Sequence, residues 1–281
     1  MSDNPNLTTA VTVAAVTEVA KNAYNDIAHP SLAATGKVIA LIPQIIDRAL
    51  LPVQKWVAEG QYKLAETKKL LGKKLENVSP ENIVSPESHI AVPALQAISY
   101  SMDNEEIRNM YANLLTSSMH EKVKNDVHPA FVEIIKQLSP DEAKILKYVH
   151  AVKNNVPLIS FRVENISNRS GSVVYKYLSP LHSEIKDLEY KKQEKIVLAL
   201  ENLERQNLIV IEKNYTLTDK QEYESLFCDK RAEELLKQKL PEGMKWDWLK
   251  TYFSLTEFGK IFCDICISDD IIILEVENDQ Q

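Results

Sequence analysis

Between Phe131 and Val149 the apolar residues recur at helical spacing and are interrupted once. Phe131, Ile134, Ile135 and Leu138 form one stripe, and Ile145, Leu146 and Val149 form a second. The interruption is Ser139-Pro140-Asp141-Glu142. Ser139 can accept from the Glu142 N–H while the Glu142 carboxylate reaches back, which is a capping box with Pro140 at the first helical position. Pro129 suits the first turn of the preceding helix, where its missing N–H costs nothing. The pattern therefore predicts two consecutive helices with a sharp junction.

Upstream, the same periodicity predicts more helices. Leu7–Tyr24 carries a weak face of Val13, Val16 and Ala20. Val38, Ile42, Ile45, Ala49, Val53 and Trp56 make a longer amphipathic face that Pro43 and Pro52 kink or divide. Gln61–Asn77 is crowded with lysines over a strip of Leu64, Leu71 and Leu75. Val-Ser-Pro-Glu then occurs twice, at residues 78–81 and 84–87, and reads as two successive short turns. Asp103 is placed to cap a helix running to Met119, with Ile107, Met110, Tyr111 and Leu114 inward. His120–Asp126 reads as a polar loop.

After Val152 the texture changes. Val156–Val163 is short, apolar and strand-like, and Asn165–Gly171 is rich in turn residues. Lys191–Arg205 is an amphipathic helix carrying Ile196, Val197, Leu200 and Leu203. Leu208–Lys213 and Tyr252–Leu255 are strands, with Thr256 capping a helix through Ile267. The 214–248 excursion between those strands is long and holds a helix near Asp229–Lys239. Helices, then strand, excursion, strand and closing helix is the order of a winged-helix-like domain, a likeness of fold alone.

The Val127–Ala143 segment resembles the Abi-alpha (abortive infection alpha) family of bacterial proteins. The likeness continues through Pro93-Ala94-Leu95, Glu105-Glu106-Ile107-Arg108 and Asn113-Leu114-Leu115. It reaches back more loosely to His29-Pro30, Gly36, Leu51-Pro52 and Trp56. The resemblance is strongest over 76–150 and extends across about 20–220. It implies a role in phage exclusion and brings no catalytic residues with it.

Composition narrows the classes. A chain of 281 residues with 44% hydrophobic content can bury one large or two modest cores. Six glycines and few strand-forming runs point to a mainly α fold. A net charge of −7 opposes a generally basic nucleic-acid binder. Three cysteines without a signal peptide point to the cytoplasm. No apolar run is long enough for a conventional membrane span. The expected organisation is a flexible or weakly helical 1–24, a helical domain at 25–138, a winged-helix-like α+β module at 139–270 and an acidic tail at 271–281.

Candidate chemistry is sparse. Cys263 and Cys266 have Cys-x-x-Cys spacing, but zinc needs four ligands and only Cys228 remains. Near a helix end they read as buried thiols. His120 and His128 flank Glu121 and Asp126, which could suggest a metal loop; a solvated loop is the favoured reading. Arg108 reads as an ordinary ion-pairing residue. Arg205 and Arg231 lack the histidine five residues on that an Arg-x-x-x-x-His nuclease motif requires. Phosphate-binding and nucleophile-elbow motifs are missing from the sequence, so neither catalytic nor cofactor-binding nor metal-ligating residues are assigned, and no cofactor is expected.

Two lysine clusters mark surfaces. Lys191, Lys192 and Lys195 could meet DNA phosphates, although Glu184, Asp187, Glu189 and Glu194 dilute them. Trp56 with Lys63, Lys68, Lys69, Lys73 and Lys74 could meet a membrane surface. The expectation is a non-enzymatic phage-defence component with a protein partner or a membrane surface as its target. A DNA-binding winged-helix regulator and a peripheral membrane protein are the alternatives.

Overall fold

The computed structural model describes residues 44–48, 50, 64–101, 103–185, 188 and 193–271. The expected helix at 7–24, Trp56 and Lys63, and Lys191 with Lys192 lie outside them. The chain divides into two compact units: residues up to Lys136 with those from Ser268 onward, and Gln137–Ile267.

The first unit is helical among its described residues: α1 (Leu64–Lys74), α2 (Ser88–Tyr100), α3 (Glu105–Ser118) and α4 (Ala130–Lys136), with short 3-10 turns at Pro80–Asn82 and Lys124–Asp126. Its centre is α3, which is buried on every side from Tyr111 onward. Helices α1, α2 and α4 pack around it, supplying Leu71, Leu75, Ile98, Phe131 and Ile135 to the core. Asn104, not Asp103, caps α3; its Oδ1 accepts from the Ile107 N–H at 3.0 Å. The first Ser-Pro-Glu makes one 3-10 turn, and the second leads into α2. Helix α2 was not evident from the sequence because Pro93 lies inside it, where proline ordinarily breaks a helix.

The second unit is α+β. Its elements are α5 (Pro140–Val152), β1 (Val156–Asn165), β2 (Gly171–Leu178), α6 (Leu181–Glu184), α7 (Gln193–Arg205), β3 (Ile209–Glu212), α8 (Gln221–Phe227), α9 (Lys230–Leu236), β4 (Met244–Leu255) and α10 (Glu257–Cys266). The strands form one antiparallel sheet in the order β2-β1-β4-β3. Val156 pairs with Phe253 at one end of the β1–β4 ladder and Asn165 with Met244 at the other.

Six consecutive β1 residues, Val156–Phe161, are buried, because both faces of this strand are covered. Ile159 and Phe161 pack on one side with Tyr223 and Leu226 of α8 and with Ala232 and Leu235 of α9. Leu158 points to the opposite side, as strand alternation requires, and is also buried.

The expected division into a helical first part and an α+β second part is present among the described residues, and the sheet is larger than the expected strands by β2 and by the first half of β4. Strand β2 escapes the sequence pattern because its first four residues are all exposed and show no alternation. Strand β4 begins eight residues before Tyr252, in a stretch where most side chains are only partly covered.

Candidate functional site

Helix α5 starts at the anticipated capping box. Ser139 Oγ accepts from the Glu142 N–H at 3.3 Å, and Glu142 Oε2 accepts from the Ser139 N–H at 2.6 Å. The other carboxylate oxygen, Oε1, accepts from Asn202 Nδ2 on α7 at 2.7 Å. The cap therefore also fixes α5 against α7. Helix α5 ends at Lys153, whose backbone is left-handed at φ 52°, and the chain turns through Asn154 and Asn155 into β1.

Helix α10 is held with equal definition. Thr256 Oγ1 accepts from the Gly259 N–H at 2.8 Å and donates to the Asn207 carbonyl at 2.6 Å. Asn207 is the left-handed residue that closes α7: its N–H meets the Glu204 carbonyl and the Leu208 N–H meets that of Leu203. Gly259 lies so close to this turn that an added Cβ would sit 1.9 Å from the Leu208 carbonyl oxygen.

Between these two helices, His150 Nε2 lies 2.8 Å from Asp264 Oδ1, both side chains being mostly covered. An ionised carboxylate only accepts, so this contact places the imidazole hydrogen on Nε2 and leaves Nδ1 as the second proton site. The pair borders an open cleft of about 400 Å³. Lys153 joins His150 from the end of α5, Lys260 joins Asp264 from α10, and Ser254 joins the lining where β4 finishes. Asn154 and Asn155 supply polar groups at the rim, and Leu255 supplies apolar surface. The arrangement can hold or move a proton at His150 and can offer two ammonium groups to a polar molecule. Nothing in the sequence signals it: His150 and Asp264 are 114 residues apart.

The residues singled out from sequence are placed as follows. Cys263 and Cys266 are buried and Cys228 is exposed. Burial pushes both buried thiols well up, with the Asp264 carboxylate adding to the effect on Cys263. Among the described residues, no group of three His, Cys, Asp or Glu side chains is arranged to hold a metal.

The solvated-loop reading of His120 is corrected. His120 is only 6% exposed. It is carried inward because the chain after α3 is stitched to the 82–84 segment: the Val84 N–H donates to Met119 and the Glu121 N–H to Asn82, each at 2.8 Å. Its Nδ1 accepts from the Lys122 N–H at 3.3 Å. Burial first, and the Lys122 charge second, lower its pKa. His128 stays exposed and accepts from the Ala130 N–H at 3.1 Å. Arg108 is half-buried on α3.

Lys195 is exposed on α7. It shares the outer side of that helix with Glu194, Leu198 and Glu201, and Glu201 pairs with Lys176 on β2 at 2.5 Å. In the other lysine cluster, Lys68 pairs with Asp47 at 2.7 Å and Lys74 with Asp269 at 3.3 Å, while Lys69 and Lys73 are exposed. Among the described residues no helix is long and apolar enough to cross a membrane.

A family model described as "Abortive infection alpha" matches residues 59–266. No curated protein and no solved structure gives a match.

Proposed function

Because the chain belongs to the abortive infection alpha family, we propose that it is a non-enzymatic component of a bacterial phage-defence system, working in the cytoplasm through a protein partner or at the membrane surface. The observation that carries this is the family match, which runs through both compact units. The outer side of α7 supports the partner reading. Leu198 is 65% exposed there between Glu194, Lys195 and Glu201. Such a mixed surface suits a protein better than a polyanion.

The test is phage challenge. The gene is expressed in a phage-sensitive bacterial host, and plating efficiency and cell survival are followed across diverse phages. Reduced plating with loss of the infected cells is expected. Unchanged plating, growth and survival throughout would remove the proposal.

A second reading rests on connectivity. The order α5, β1, α7, β3, β4, with β4 lying between β1 and β3, supports a winged-helix-like module. Helix α7 takes the place of a recognition helix, and the β3–β4 connection containing α8 and α9 takes the place of the wing. A DNA-binding regulator of this kind requires salt-sensitive duplex binding that weakens when Lys191, Lys192 and Lys195 become Ala. For the membrane surface the candidates are Trp56, Lys63, Lys68, Lys69, Lys73 and Lys74, of which Lys69 and Lys73 are exposed on α1. Failure to pellet with anionic liposomes rejects that arm alone.

A further inference from the structure

We propose that the cleft between α5 and α10 binds the phosphoryl group of a small molecule. This goes beyond the phage-defence reading and does not depend on it.

The cleft carries two ammonium groups, Lys153 and Lys260, against one carboxylate, Asp264. That carboxylate is already engaged by His150 at 2.8 Å. Among the lining residues the sum is one positive charge, and Glu257, just outside the lining, is the second carboxylate nearby. Lys153 is the residue that ends α5, where a positive side chain offsets the negative end of the helix dipole. Lys260 is paired with Glu257 at 2.6 Å, both on the exposed side of α10. An exposed pair three residues apart on a helix is weak, so Lys260 is available to a stronger anion.

Geometry then selects the class. The two lysines come from the end of α5 and from α10 and line one cleft, so a group with acceptor oxygens in several directions can meet both. A phosphoryl dianion is such a group and matches two ammonium charges. Asn154, Asn155 and Ser254 add neutral donors. The α10 amino terminus opens immediately after Ser254 and Leu255, with Thr256 as its cap. A volume of about 400 Å³ exceeds what the phosphoryl group needs and lies within the range of small-molecule sites. The apolar surface of Leu255 can cover part of the remaining molecule.

The experiment uses the full-length, isotope-labelled protein in phosphate-free buffer. Inorganic phosphate is titrated first and amide shifts are followed; AMP and adenosine are then compared at equal concentration. Saturable shifts confined to 153–155, 254–256 and 260–264 are expected, with AMP binding and adenosine not. Lys153→Glu combined with Lys260→Glu should weaken AMP binding at least about tenfold. The control, Lys237→Glu with Lys239→Glu, makes the same charge change at exposed positions on and after α9 and should bind like the wild type. The proposal is overturned by no saturable shift at millimolar phosphate, by shifts centred elsewhere, by adenosine binding as well as AMP, or by equal loss in the control.

Discussion

Glu142 and Asn202, 60 residues apart, are joined by a 2.7 Å hydrogen bond from the Asn202 amide to the Glu142 carboxylate. Glu142 is 4% exposed, and its other oxygen caps α5. A residue whose sequence role is local is thus also the tie between α5 and α7. Removing Asn202 leaves a buried carboxylate oxygen short of a donor, which costs about 1–3 kcal/mol. Asn202→Ala should lower the denaturant midpoint accordingly. Ser139→Ala should cost about 1 kcal/mol through the cap, and the two losses should not add, because both act on Glu142. An unchanged midpoint in Asn202→Ala would show that this tie contributes nothing.

Two glycines predict opposite signs. At Gly259 an added methyl meets the Leu208 carbonyl at 1.9 Å, and both sides of that contact belong to defined backbone. Gly259→Ala should destabilise by about 1–3 kcal/mol, the range for overpacking. At Gly72, inside α1, the nearest described atom to the new methyl would be Ile46 Cδ1 at 3.8 Å. Gly72→Ala should stabilise by roughly 0.5–1 kcal/mol through helix propensity. Thermal denaturation of both variants checks the pair, and a shift in the same direction for both contradicts the packing described.

The thiols should separate by burial. Brief alkylation of the folded protein should modify Cys228 and spare Cys263 and Cys266, whose thiols are buried and raised in pKa. Denaturation should expose all three. Intact-mass and peptide analysis read the result directly; native labelling at Cys263 or Cys266 would contradict their placement in the core.

His120 predicts a pH dependence of defined sign. Burial holds its folded-state pKa below the ordinary value of 6.5, so the unfolded chain binds the proton more readily. Its contribution to stability is complete above 6.5 and is lost as pH falls from there toward the lower folded-state value. Replacing His120 with Gln should flatten that part of the stability profile relative to wild type. Parallel profiles across this window would show that His120 carries none of the slope.

Helices α1, α3 and α4 of the first unit and the caps of the second were legible because their causes are local. Ser139 caps through Glu142 and Thr256 through Gly259, each three residues on, and apolar periodicity placed Ile107, Met110 and Leu114 inward. Even the shift from Asp103 to Asn104 is a change of one residue in a local choice between two good caps.

What the sequence by itself determined, then, was the segments whose structure depends on neighbours three or four positions away, together with the acidic balance and the two lysine clusters. Only the tertiary structure decided that β2 is a strand, because its exposed residues are ordered by pairing with β1, Glu164 to Gly171 and Ile159 to Leu178. It alone buried His120, through backbone bonds to the 82–84 segment. It alone brought His150 to Asp264, by anchoring α5 through Asn202 and α10 through Leu208. Contacts between residues far apart in the chain depend on which elements come to lie together, and no local pattern of side chains encodes that.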